Sequence, residues 1–134
     1  MVTELAKGVY WVGVVDWGLR HFHGYELSTH RGSTYNSYLI LDEKIVLVDT
    51  VWGPFQEQLI ENIRQVVDPA KIDIVVANHS ETDHSGGLPA VMHHAPNALV
   101  IVSSRGEESV EGHYHQPWKF KKVKTGEKVS LGKL

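Results

Sequence analysis

Six consecutive residues, His79, Ser80, Glu81, Thr82, Asp83 and His84, place two imidazoles and two carboxylates within six positions of chain. They follow the apolar run at 72–78, which reads as a buried strand, and precede the Gly86-Gly87 pair of a turn. Side chains leaving the mouth of a strand can converge on a point, which is what a metal requires. In an extended segment alternate residues share a side, so His79, Glu81 and Asp83 are expected to face one way. His84 then turns toward a second point, and one ligand pair per metal follows. Two metals about 3.5–4 Å apart can clamp both ends of a small substrate. Imidazole suits zinc, iron and copper alike, whereas carboxylates shift the preference toward harder ions. Two negative charges compensate a ferric state, so the set favours redox iron over zinc. The bland reading is a solvated polar loop, but four ligand-type side chains so close behind a buried strand favour metal.

The other candidates carry weaker signals. His93 and His94 end a short helical pattern and complement a helix C-terminus, and His113 and His115 read as surface or loop residues. Asp49 closes a strand, where it either caps a turn or orients a ligand histidine. Trp17, His21 and His23 lie in a long loop and either line a pocket or belong to a loop held down by Trp17 and Phe22. Ser85-Gly86-Gly87 offers N–H groups to an anion, a weak signal.

Positioning these side chains requires a layered α/β domain. Residues 8–15 have strand composition, and residues 16–32, with no sustained period, read as a functional loop. Residues 35–41 and 45–48 flank Asp42-Glu43-Lys44 as a hairpin. Gly53-Pro54 opens a helix whose Phe55, Leu59, Ile63, Val66 and Val67 share a face, with Asp68-Pro69 as its stop. Residues 72–77 look covered on both faces. A short helix over 85–94, a strand over 98–102 and a helix from a Ser104/Glu107 capping box to about His113 follow. Two short strands around Thr125-Gly126 close the chain.

The totals bound the function. At 134 residues, 42% hydrophobic and 22% charged, the sequence suits one globular domain. A net charge of −3 supplies no basic field for nucleic acid or an anionic membrane. The absence of cysteine excludes disulfides, thiolate zinc sites and cysteine nucleophiles, and nine histidines direct attention to metals. The N-terminus lacks the basic head and apolar core of a signal peptide, so a cytoplasmic location is expected.

The pattern His79-x-Glu81-x-Asp83-His84 behind an apolar strand resembles the metallo-β-lactamase signature, with Glu81 where that signature normally carries His. The Glu marks the flavodiiron proteins, the oxygen and nitric oxide reductases. Asp16-Trp17, Phe22-His23-Gly24, residues 34–39, Val48-Asp49-Thr50 and Asp83-His84-Ser85-Gly86 agree with it. The resemblance implies the first half of a metallo-β-lactamase-like αβ/βα sandwich. His79 and Glu81 would bind one iron, Asp83 and His84 would belong to the second, and His23 would lie near the pocket. It further implies reduction of O2 to water or of NO to nitrous oxide with electrons from FMN. The FMN would sit on the flavodoxin-like domain of a partner chain in a homo-oligomer, fed by a donor such as rubredoxin. The later His, Asp and His of the family's site, and the flavodoxin-like domain, would lie beyond residue 134. Residues 1–134 are therefore expected to be an N-terminal portion with little turnover alone. The alternatives are a zinc hydrolase, or a non-catalytic subunit completed by another chain.

Overall fold

A computed structural model describes residues 1–22 and 24–134. Its frame is a seven-stranded sheet ordered β1-β2-β7-β8-β9-β10-β11. The strands are β1 (Thr3–Ala6), β2 (Val9–Trp11), β7 (Tyr38–Leu41), β8 (Ile45–Val48), β9 (Ile74–Val76), β10 (Leu99–Ser103) and β11 (Lys119–Val123). The first four pair antiparallel, and β8, β9, β10 and β11 run parallel. Two small ribbons stand apart: β3 (Val14–Asp16) with β6 (Ser33–Tyr35), and β4 (His21–Phe22) with β5 (Leu27–Ser28). The loop expected at 16–32 thus contains a hairpin, whose two-residue strands are too short to show a period. The run at 8–15 is split between two sheets at Gly13. A Cβ there would meet the Tyr35 and Ser37 backbones, so the chain at Gly13 passes residues 35–37 too closely for a side chain.

Parallel strands need crossovers, and helices provide them on one face of the sheet. The helices are α1 (Gln56–Arg64), α2 (Thr82–Ser85), α3 (Leu88–His94) and α4 (Gly106–Tyr114). Leu59, Ile63, Leu88, Val91, Met92 and Val110 from the helices meet Leu39, Leu47, Val75, Val100 and Val102 from the sheet. α1 ends sooner than Asp68-Pro69 suggests, because Val66 and Val67 both donate to the Ile63 carbonyl in a tight final turn. The capping box expected at Ser104 does not form: Arg105 occupies the N-cap and no side chain caps the helix.

The opposite face buries Val46, Ile74 and Ile101, with Val129 and Leu131 of the C-terminal segment packed on them. The expectation of coverage on both faces of the 72–77 run holds for Ile74 and Val75, while Val76 is half-buried. The second tail strand expected around Val129 is not formed. The segment is fastened by single bonds instead: Lys44 N donates to the Leu131 carbonyl, and the Asp42 carboxylate accepts from Lys133 and Leu134 N.

Those bonds, led by the one from Leu134, hold the Asp42 carboxyl below its ordinary pKa. A depressed carboxylate stabilises at pH above its unfolded value, and that contribution is lost as pH falls through the folded value. Amide exchange at Lys133 and Leu134 is therefore expected to be slowed at neutral pH and to lose its protection in strong acid. Asp42→Asn should remove much of the protection already at neutral pH. Equal protection in the variant and the parent chain across the pH range would refute this anchoring.

Candidate metal centre

Parallel pairing of β8 with β9 makes both strands leave the sheet at the same end, and every ligand-type residue of the central stretch lies there. Asp49, one residue past β8, has φ 55°. Asp tolerates this left-handed region better than most residues because its short polar side chain bonds locally. Here Oδ1 accepts from Asn78 N at 2.8 Å and Oδ2 from Asn78 Nδ2 at 3.4 Å, while Asp49 N donates to the Val76 carbonyl. The turn-closing role is therefore the one the hydrogen bonds display, and the same carboxylate lies 3.5 Å from His84 Nδ1.

Residues 79–84 do not run extended. Only the first part leaves β9 as open chain. Thr82–Ser85 forms the single helical turn α2, so Asp83 and His84 project from a helix rather than alternating with Glu81. The result is two pairs. His79 Nε2 lies 3.7 Å from Glu81 Oε2, and His84 Nε2 lies 3.5 Å from Asp83 Oδ2. The two imidazole centroids are 5.3 Å apart. The pairs differ in cover: the His79 and Glu81 side chains are 51% and 57% exposed, those of His84 and Asp83 35% and 22%. His84 Nδ1 is buried without a hydrogen-bond partner, since 3.5 Å to Asp49 is ion-pair range only.

How the ligand turn is fastened lay outside the sequence reading. Thr50 donates from both N and Oγ1 to the His84 carbonyl, at 2.8 and 2.7 Å, and Oγ1 accepts from Gly87 N. Gly87 N also donates to the Val51 carbonyl, and Gly86 N to that of Thr82. The N–H groups of Ser85-Gly86-Gly87 are thus consumed internally, and the anion site proposed for them does not exist. The Val48-Asp49-Thr50 string was the available signal, since a Thr beside a strand-end carboxylate can clamp a neighbouring chain.

A hollow of about 380 Å³ is lined by the carboxylates Glu81 and Asp83 together with Leu19, His21, Phe22, Tyr35 and Trp52. His21 therefore lines the pocket as one reading expected, and Phe22, assigned by the other reading to holding the loop down, lines it too. Trp17 does not: it is 71% exposed and sits elsewhere. His23 lies outside the described residues. A larger hollow of about 610 Å³ reaches Asn78 but none of the four ligand-type side chains. Tyr35, buried and stacked near Trp52 and Phe55, donates to Asp16 Oδ2 at 2.9 Å, and Asp16 Oδ1 accepts from Gly18 and Leu19 N. Burial first, then the Asp16 bond, pushes the Tyr35 phenol up, so it stays a donor. This pair fixes the start of the segment that faces the ligand pairs.

His93 and His94 occupy the last turn of α3, as expected, while His113 and His115 lie exposed at the end of α4. The donor set fits two iron ions in type and pairing, and the orphaned His84 nitrogen marks a polar demand the protein leaves unmet. It falls short in number, because among the described residues no three His, Cys, Asp or Glu side chains gather to hold one ion.

A sequence profile of the metallo-β-lactamase superfamily matches residues 30–132. The chain is 52% identical over 132 residues to a nitric oxide reductase of Moorella thermoacetica, covering 98% of this chain and 33% of that protein. It is 43% identical over 133 residues to the anaerobic nitric oxide reductase flavorubredoxin of Vibrio vulnificus, covering 98% of this chain and 27% of that one. The structure matches rubredoxin oxygen:oxidoreductase from the anaerobe Desulfovibrio gigas with a TM-score of 0.94 at 42% identity, covering 99% of this chain and 33% of that one. The flavodiiron protein of Giardia intestinalis matches with a TM-score of 0.92 at 36% identity, covering 99% and 32%. The chain thus spans about a third of the length of these relatives. No helix among the described residues is long and apolar enough to cross a membrane.

A Cβ on Gly86 would meet Gly53 N at 2.4 Å, Thr82 O at 2.5 Å and Val51 O at 3.0 Å, all of them backbone atoms that cannot swing aside. Gly86→Ala is accordingly expected to cost about 1–3 kcal/mol in urea unfolding, with the ligand turn displaced from Thr50. A substitution without effect on the unfolding midpoint would show that the turn is not pressed against residues 51–53.

Proposed function

Because the chain belongs to the metallo-β-lactamase superfamily, we propose that residues 79–84 supply the first ligands of a diiron centre in an O2- or NO-reducing flavodiiron protein. His79 and Glu81 hold one iron in this reading, and Asp83 and His84 belong to the second. The observation that carries it is the gathering of two imidazole–carboxylate pairs, at 3.7 and 3.5 Å, at one mouth of the sheet. A bound pair of irons would supply the electrons that reduce a small diatomic substrate. The relatives named for nitric oxide and for oxygen favour those two substrates.

The chain's own residues do the remaining work. Glu81 and Asp83 offset the charge of a ferric pair, and Asp49, clasped by Asn78, faces His84 Nδ1 and leaves Nε2 turned toward Asp83. Leu19, Phe22 and Trp52 give the hollow beside the two carboxylates an apolar wall. Donors beyond these four, and the FMN-bearing flavodoxin-like domain of a partner chain in a homo-oligomer, would come from sequence outside residues 1–134. A rubredoxin-like protein is the proposed electron donor, the kind that the name of the Desulfovibrio gigas relative carries. The zinc hydrolase alternative finds no support: the relatives are reductases, and Glu81 adds a charge that a ferric state uses better than zinc.

Anaerobic titration of the 134-residue chain with Fe(II) should give weak binding that His79→Ala and Asp83→Ala each diminish. Two irons retained through gel filtration by this chain alone would overturn the incomplete centre. Binding that survives the double substitution would overturn the ligand assignment.

A further inference from the structure

One polar contact of the ligand turn reaches outside the strand ends that carry the site. Ser85, the last residue of α2 and 1% exposed, has its Oγ 2.8 Å from the Ser80 carbonyl and 3.0 Å from that of Glu81. The same oxygen lies 2.8 Å from the Tyr114 hydroxyl. A serine hydroxyl carries one proton and two lone pairs, and carbonyls only accept. The Ser85 proton is therefore spent on the carbonyls, and Tyr114 must donate to Ser85. Tyr114 is the last residue of α4, half-buried, with its ring 5.9 Å from that of Trp118. The phenol thus joins the helix beside β10 and β11 to the two carbonyls that bracket the start of the ligand turn.

We propose that Tyr114 is a positioning residue for the metal-ligand turn, acting through Ser85. The proposal rests on the metal reading of residues 79–84. Thr50 holds the turn from the β8 side by its grip on the His84 carbonyl, which fixes Asp83 and His84. The Glu81 carbonyl takes the first bonds of the turn from His84 and Ser85 N, whereas the Ser80 carbonyl, one residue from each of His79 and Glu81, accepts from Ser85 Oγ. Ser85 keeps its rotamer because Tyr114 occupies its acceptor face. The direction in which His79 and Glu81 leave the chain, and so the spacing of the two ligand pairs, depends on the phenol. A purely packing role for Tyr114 would need its ring alone.

Tyr114→Phe keeps the ring and removes the donor, Ser85→Ala removes the relay, and the double variant tests whether the two act in series. In the metal-free 134-residue chain, Tyr114→Phe should speed amide exchange at His84, Ser85 and Gly86 by roughly 3- to 10-fold, the worth of one neutral hydrogen bond. Amides of β8 and β9 should be unchanged, and the double variant should be no worse than Ser85→Ala alone. Titration with Co(II) as a coloured probe should show affinity lowered by a similar factor, with a shifted visible band. Unchanged exchange in Tyr114→Phe, or a rise spread evenly over the sheet, overturns the proposal. A local exchange effect with identical Co(II) affinity and band in every variant also overturns it. Failure of the unaltered chain to bind Co(II) at all sinks the metal reading instead, with the local exchange effect then assigning Tyr114 to the turn alone.

Discussion

The structure depends on the parallel pairing of β8 with β9. Antiparallel neighbours would leave the sheet at opposite ends; these two leave at the same end. That constraint sets Asp49 beside Asn78 and lets Thr50 reach the carbonyl of His84, 34 residues on. The left-handed backbone at Asp49 is the local cost, and several hydrogen bonds around it offset that cost. Once Thr50 and Asp49 are in place, the turn at 82–87 has one way to lie, with Gly86 and Gly87 pressed on residues 50–53.

The two ligand pairs inherit different stiffness from this arrangement. Asp83 and His84 sit on a hydrogen-bonded turn clamped by Thr50 and are largely covered. His79 and Glu81 project from open chain and are about half exposed. An ion held by the first pair meets donors already oriented, while the second pair must give up side-chain freedom on binding. The bond from Ser85 Oγ to the Ser80 carbonyl bears on the less restrained of the two pairs.

Much of this was legible in the sequence. The buried run at 72–77, the hairpin around Asp42-Glu43-Lys44 and the position of the ligand cluster at a strand mouth all follow from residue type and period. The shape of the cluster did not, because alternation assumes extended chain. The turn Thr82–Ser85 is imposed by distant contacts at Thr50 and Val51 that no local pattern announces. The β4–β5 hairpin escaped for the opposite reason, being too short for periodicity to register. The missing cap at Ser104 shows tertiary packing overriding a local motif, since α4 is placed by Val110 against the sheet.

Charge balance gives the mouth of the sheet its chemical character. Four carboxylates, Asp16, Asp49, Glu81 and Asp83, stand around it, and among the described residues no Lys or Arg forms an ion pair with any of them. Asp16 is buried but satisfied by two N–H groups and the Tyr35 hydroxyl, and Asp49 draws on Asn78. Neutral donors suffice for those two. Among the described residues the ion-pair partners of Glu81 and Asp83 are imidazoles, and an imidazole supplies positive charge only when protonated. Arg20 shows that a guanidinium is available nearby, yet it is spent on the carbonyls of Trp17 and Leu19. Asp16 and Asp49 are thus satisfied by dipoles, while among the described residues Glu81 and Asp83 pair with histidines alone. In the proposed reading, a multivalent metal ion would complete that balance.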